Sequence, residues 1–222
     1  MAKPGASSRL VTEGAGRSAA TKQVLVEAAI ETLKAEGFAG ASARAIAGRA
    51  GCNQALIFYH FGSVVSLFLA ALDAVSASRL EQYSAAVGHV GSPAELVEVA
   101  AAIFRGDLDA GYVTVLVEMI AGASSTPGLG AEVAARIAPW RQFAQQIIDS
   151  ALGGSALGSV VPSDEIAHGV VALYLGLELL SHLDADRAAA LSLFDRAKQV
   201  AAVVEVLGVG GFLPAPTPRR AS

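Results

Sequence analysis

Cysteine occurs once in this chain of 222 residues, at Cys52. No intrachain disulfide and no cysteine-based zinc site can form, and a reduced, cytoplasmic setting fits. Charge is sparse as well: Asp, Glu, Lys and Arg make up 16% of the residues, and the formal net charge is only −4. That excludes a uniformly basic nucleic-acid coat. The first twenty residues lack the apolar stretch of a secretory signal. No apolar run reaches membrane-spanning length without a polar break, since even Ile166–Leu180 holds His168 and Glu178. Also missing are a Gly-rich phosphate loop, a nucleophile-elbow serine and any His/carboxylate pattern of known catalytic spacing. The histidines His60, His89, His168 and His182 are scattered. Neither catalysis, nor a cofactor, nor a metal site, nor a membrane partner is expected.

What the chain does have is apolar mass. Hydrophobic residues reach 53%, rich in Ala and Leu with little strand-like alternation, so an all-α fold with a sizeable core is expected. The weak net charge hides an asymmetry. Residues 1–62 carry seven Lys/Arg against four Asp/Glu, a net of +3, and residues 63–222 carry nine against sixteen, a net of −7. A mildly basic head on an acidic body suits a DNA-reading module joined to a module with another task.

Residues 1–17 read as a flexible basic arm holding Lys3, Arg9 and Arg17. Helical patterning starts near Ser18 or Thr21, with Leu25, Ala28, Ala29, Thr32 and Leu33 on one face. Gly37 is a left-handed stop, and Phe38 can fold back on the last turn. Ser42 is an N-cap for a short helix through Ala50, Gly51 allows a tight turn, and a second short helix runs from Asn53 to Phe61. A long apolar helix follows Gly62-Ser63 to about Val87. Helix resumes at Pro93, with breaks expected near Gly106–Gly111 and Ser124–Gly130, then continues over 131–152 with Pro139 a possible kink. Residues 153–162 form a loop, two long helices cover Ser163–Leu183 and Asp186–Leu207, and the proline-bearing tail from 209 is expected to be disordered. The expected domains are a DNA-binding head over 18–65 and a helical body over 66–208.

Short helix, glycine turn and short helix between Ser42 and Phe61 make a helix-turn-helix. The segment 20–70 resembles the TetR family of transcriptional regulators. The resemblance rests on Glu36-Gly37-Phe38, Ser42-Ala43-Arg44-Ala45-Ile46-Ala47, Ala50-Gly51-Cys52-Asn53, Ile57-Phe58-Tyr59-His60-Phe61, Ser63 and Leu67. It implies three N-terminal DNA-binding helices, and a C-terminal helical domain with a ligand pocket and a two-fold dimer interface. Two positions depart from it: Phe58 stands where the family usually has Tyr, and Val64 where it usually has Lys.

The expected partners are double-stranded operator DNA, a second copy of the chain and a small-molecule effector. For DNA, the candidates are Lys22, Ser42, Arg44, Arg49, Asn53, Gln54, Ala55, Tyr59, His60 and Ser63. Gln54 is placed for base readout, and similar family members use an Arg at the Arg44 position on a guanine edge. Asn53 caps its helix or touches DNA, Arg49 and Lys22 suit phosphates, and Phe58 and Phe61 are the inward aromatics. For the effector, Glu118, Trp140, Tyr174 and Glu178 are candidate anchors in an apolar pocket. Tyr174, Glu178 and His182 share a stripe. For the dimer, the candidates are Gly169, Ala172 and Gly176 with Leu193, Phe194, Ala197, Ala201 and Val204. The functional expectation is a repressor released from its operator by a mostly apolar ligand.

Overall fold

A computed structural model describes residues 6–152, 162–183 and 187–206, and every regular element among them is an α-helix. In chain order these are α1 (Ala6–Gly40), α2 (Ala43–Ala50), α3 (Ala55–Phe61), α4 (Val64–Val87), α5 (Pro93–Ala110), α6 (Tyr112–Ala123), α7 (Leu129–Leu152), α8 (Ser163–Leu183) and α9 (Ala188–Val206). The expected loop over 153–161, the start of the last helix at Asp186 and the tail from 209 lie outside the described residues.

The chain divides into two compact units. The first takes the residues up to Val75 together with Thr114–Val133, and the second takes Ser76–Val113 and the residues from Ala134 onward. The head is therefore larger than the expected 18–65. It recruits the first half of α4, and a returning segment from α6 and α7 fills its core with Val115, Met119, Leu129 and Val133. Those residues meet Leu25, Ala29, Leu33, Ile46, Ile57 and Leu67, all fully buried. The helix-turn-helix cannot bury enough apolar surface alone; the added segment completes its core.

α1 starts at Ala6, well before Ser18, so residues 6–17 of the expected flexible arm are helical. Extending a formed helix costs far less than nucleating one, and the apolar face from Leu25 supplies the nucleus. The helix is broken at Gly37 (φ 70°, ψ 175°), a backbone state that favours glycine. Phe38 packs into the core of the first unit. Its ring stands 5.4 Å from that of Phe68 and lies on Gly122, where a Cβ would come within 2.5 Å of the ring.

Capping explains the remaining boundaries of the head. Ser42 Oγ accepts from the Ala45 amide at 3.2 Å, and Gly51 closes α2 in the left-handed region at φ 64°. In the second unit, Ser92 caps α5 with Pro93 in its first turn. The break expected at Gly106–Gly111 falls only at Gly111 (φ 67°), and α7 runs on through Pro139. α5 packs on α9 and α8, with Phe104 fully buried against Phe194 (5.1 Å between rings) and Tyr174 (5.5 Å).

Gly122→Ala should destabilise the first unit by about 1–3 kcal/mol, because its methyl overlaps the Phe38 ring. A urea melt followed at the first unit's transition checks this; an unchanged midpoint would show that the ring does not sit on Gly122.

Candidate nucleic-acid interface and effector site

α3 is only seven residues long, and its fit is set by spacing. Ile57 faces the core, and Phe61, one turn on, is packed against it. Phe58, expected inward, is instead 50% exposed, because the single inward stripe of so short a helix is already taken by Ile57 and Phe61. Tyr59 is 80% exposed and stacks its edge on His60 at 4.8 Å. Gln54 is exposed at the cap position of α3 and makes no side-chain capping bond. Asn53 Oδ1 accepts from the Ala55 amide at 2.8 Å, so its capping role is met. Ala55, Lys22, Ser42 and Arg44 are exposed. Ser63 Oγ caps α4 by accepting from the Ser66 amide at 3.0 Å.

Arg49, expected at phosphates, is exposed and also reaches α1: Nε donates to Thr32 Oγ1 at 3.1 Å, and Nη2 lies 3.6 Å from Glu36 Oε1. Thr32 is fully buried and donates in turn to the Ala28 carbonyl at 2.6 Å. Arg49 therefore braces α2 against α1. Glu118, expected as an effector anchor, lies in the first unit, where its Oε2 accepts from the Phe38 amide at 2.7 Å. It serves a backbone donor that the break at Gly37 would leave unpaired.

The other three expected anchors do come together, in the second unit, around residues that sequence reasoning missed. Arg79 from α4 is buried, and its Nη2 donates to Asp107 Oδ2 at 2.5 Å and to Glu178 Oε1 at 2.6 Å. The Tyr83 hydroxyl donates to Asp107 Oδ2 at 2.9 Å and Tyr174 to the same oxygen at 3.2 Å, while the two hydroxyls also meet each other. Trp140 Nε1 donates to Ser76 Oγ at 2.7 Å, and the Arg79 guanidinium lies over the Trp140 ring at 5.2 Å. Two buried atoms of this cluster have no hydrogen-bond partner, Arg79 Nε and Glu178 Oε2. Buried polar atoms are normally hydrogen-bonded, which sets these two apart.

Burial pushes the Glu178 carboxyl up to about 7; the Arg79 charge opposes the rise and Asp107 adds to it. Burial likewise raises both tyrosines, Tyr83 with help from Asp107 and Tyr174 with help from Tyr83. Burial works against the Arg79 charge, but Glu178 and Asp107 hold it protonated.

The dimer candidates separate. Phe194 and Ala190 pack inside the subunit against Phe104, with Phe194 left half-buried. Ala201 is half-buried, and the Val204 side chain lies outside the described residues. Gly169, Ala172, Leu193 and Ala197 are exposed, and a Cβ at Gly169 or Gly176 would meet nothing within 4 Å. Exposed Leu173, Leu180 and Leu183 extend the α8 stripe.

Residues 25–71 match the model of the bacterial regulatory proteins, tetR family. No curated protein matches the chain in sequence. Solved structures share its fold. A TetR-family transcriptional regulator from Cytophaga hutchinsonii superposes with a TM-score of 0.68 at 20% identity, over 84% of this chain and 96% of that one. The fatty acid degradation regulator FadR from Bacillus halodurans gives 0.66 at 10% identity, over 81% and 96%. A transcriptional regulator from Rhodococcus sp. RHA1 gives 0.62 at 20% identity, over 84% and 96%. Residues 25–71 are thus similar to the N-terminal domain of the tetR family, and the chain shares the all-α fold of these transcriptional regulators.

Glu178 is more readily protonated in the folded protein than in the unfolded chain. Its contribution to stability is full below the ordinary carboxylate range and is lost as pH rises through about 7. The melting temperature should therefore fall from about pH 5 to about pH 8 more steeply in the wild type than in Glu178→Gln. Parallel pH profiles would refute the assignment.

Proposed function

We propose that this protein is a homodimeric transcriptional repressor, acting in the cytoplasm, that leaves its operator when a small molecule occupies the buried cluster around Arg79 and Glu178. The observation that carries the DNA half is the exposed face of α3 and its cap. Gln54, Ala55 and Tyr59 stand outward on a capped, core-anchored helix-turn-helix. Gln54 offers an amide to an adenine edge, Arg44 a planar fork to a guanine, and Tyr59 a hydroxyl to backbone or base. Lys22, Ser42 and His60 add polar contacts, and the free amides opening α4 behind Ser63 hold a phosphate. Val64 brings no ammonium there, so the salt dependence of binding is shallower than a lysine would give.

Two copies place their recognition helices in successive major grooves, about 34 Å apart. The surface that supports pairing is the α8 stripe of Gly169, Ala172, Leu173, Gly176 and Leu180, beside Leu193, Ala197 and Val200 of α9. Leu180 is 63% exposed with no apolar cover of its own. α8 is long and apolar enough to cross a membrane, but its Glu178 is engaged by Arg79 in the second unit, which favours a packed helix over a spanning one. Sedimentation should show a dimer for the wild type and a folded monomer for Leu180→Glu; a monomeric wild type at micromolar concentration ends the dimer reading.

DNA flanking the protein's own gene is the first operator to try. In anisotropy titrations Gln54→Ala should change the preferred sequence at about 1–3 kcal/mol for the affected base pair. Arg49→Ala should instead lower the head's melting temperature and leave the salt slope unchanged, as expected for a brace. Unchanged sequence preference in Gln54→Ala would remove Gln54 from readout.

A further inference from the structure

We infer that the ligand of the buried cluster is an apolar amine, whose ammonium group takes the unpartnered oxygen of Glu178. This rests on the effector-site reading above and adds the ligand's chemistry to it.

The inference follows from a count of charges and lone pairs. The cluster holds one guanidinium, Arg79, and two carboxylates, Asp107 from α5 and Glu178 from α8. Its other polar members are neutral: Tyr83 of α4, Tyr174 of α8 and the indole of Trp140 on α7. Asp107 Oδ2 is covered by Arg79, Tyr83 and Tyr174. Glu178 is covered at Oε1 alone, and although the residue is 0% exposed, Oε2 has no donor. A buried carboxylate without a counter-charge is costly, and the cluster is one positive charge short when both acids are ionised.

Two species can make up the deficit, a proton or a cation. Burial raises the Glu178 carboxyl, which favours the proton in that role. An ammonium replaces that proton and also satisfies Oε2 with an N–H donor. An anionic head would add a second uncompensated charge, and Arg79 is already shared between two acids. An alcohol can donate to Oε2 but leaves the charge unmet. Around the cluster, the Tyr83 ring meets Trp140, Phe143 and Tyr174 edge-on at 5.4, 6.3 and 6.1 Å, so the surroundings that the hydrocarbon part of such a ligand would meet are aromatic. The other orphan, Arg79 Nε, is a donor and takes a water or a ligand oxygen.

The test uses the full-length protein and three probes that share one hydrocarbon: phenylbutylamine, phenylbutanol and phenylbutyrate. Calorimetry in buffers of differing ionisation heat counts the protons exchanged. The amine should bind at least about tenfold tighter than the alcohol, and the carboxylate weakest. Amine binding should release a proton and strengthen from about pH 6 to about pH 8, as Glu178 gives up its own. Glu178→Gln should abolish the amine's advantage and the proton release. Because proton counting needs only the wild type, a poorly folded variant does not stop the test. Carboxylate binding as tight as amine binding, amine binding without proton release, or no amine binding at millimolar concentration would each overturn the inference. Repeating the titration with operator DNA present separates the two readings. Amine binding with proton release but equal affinity on and off DNA supports the ligand class and overturns effector control. Operator release by the alcohol or the carboxylate, but not the amine, upholds effector control and overturns the class.

Discussion

The second unit is organised around a guanidinium that serves two acids at once. Arg79 reaches from α4 to Asp107 on α5 and to Glu178 on α8, so three helices meet on one side chain. Such an arrangement is weak evidence for stability, because removing three ionisable groups from water costs about what their attraction returns. What it does supply is a fixed orientation. The tyrosine hydroxyls line up on Asp107 because Arg79 holds that carboxylate still, and Trp140 lies against the guanidinium face. It leaves one oxygen of Glu178 over, and the chemistry proposed for this site grows from that remainder.

The head solves a different problem. A helix-turn-helix presents its best side chains outward and keeps few for a core, so its orientation must be held from behind. Three contacts do this. Glu118 closes the broken end of α1 at the Phe38 amide, Gly122 seats the Phe38 ring, and Arg49 ties α2 to Thr32 and Glu36. None of these groups needs to touch a base to matter for the proposed readout, since the angle of α3 sets where Gln54 and Tyr59 point.

Much of this was legible from residue order. Ser42, Gly51, Asn53 and Ser63 announce their caps and turns, and the apolar face from Leu25 to Leu33 is buried as its period requires. Tyr174 and Glu178 were visible as a stripe four residues apart. The same spacing joins Arg79 to Tyr83 on α4, and Asp107 sits between Phe104 and Leu108 on the buried face of α5, so the whole cluster carried a period that could have been read. Pairing across α4, α5 and α8 could not, because it depends on which helices touch. Glu118 misled for a related reason. An acid among apolar residues signals an inward position, but not whether its partner is a ligand or a backbone amide eighty residues earlier in the chain. Phe58 shows the limit of composition: four ring-bearing residues in a row cannot all find a core on one short helix.

The glycines of α8 have a consequence for life among relatives. Among the described residues, nothing lies within 4 Å of where a Cβ would stand at Gly169 or Gly176. In the proposed dimer, bare backbone at those two points lets a second copy come closer by the depth of a methyl group. A sister regulator with alanine or valine at the matching positions would be held off, and the leucines beside them would lose their contact.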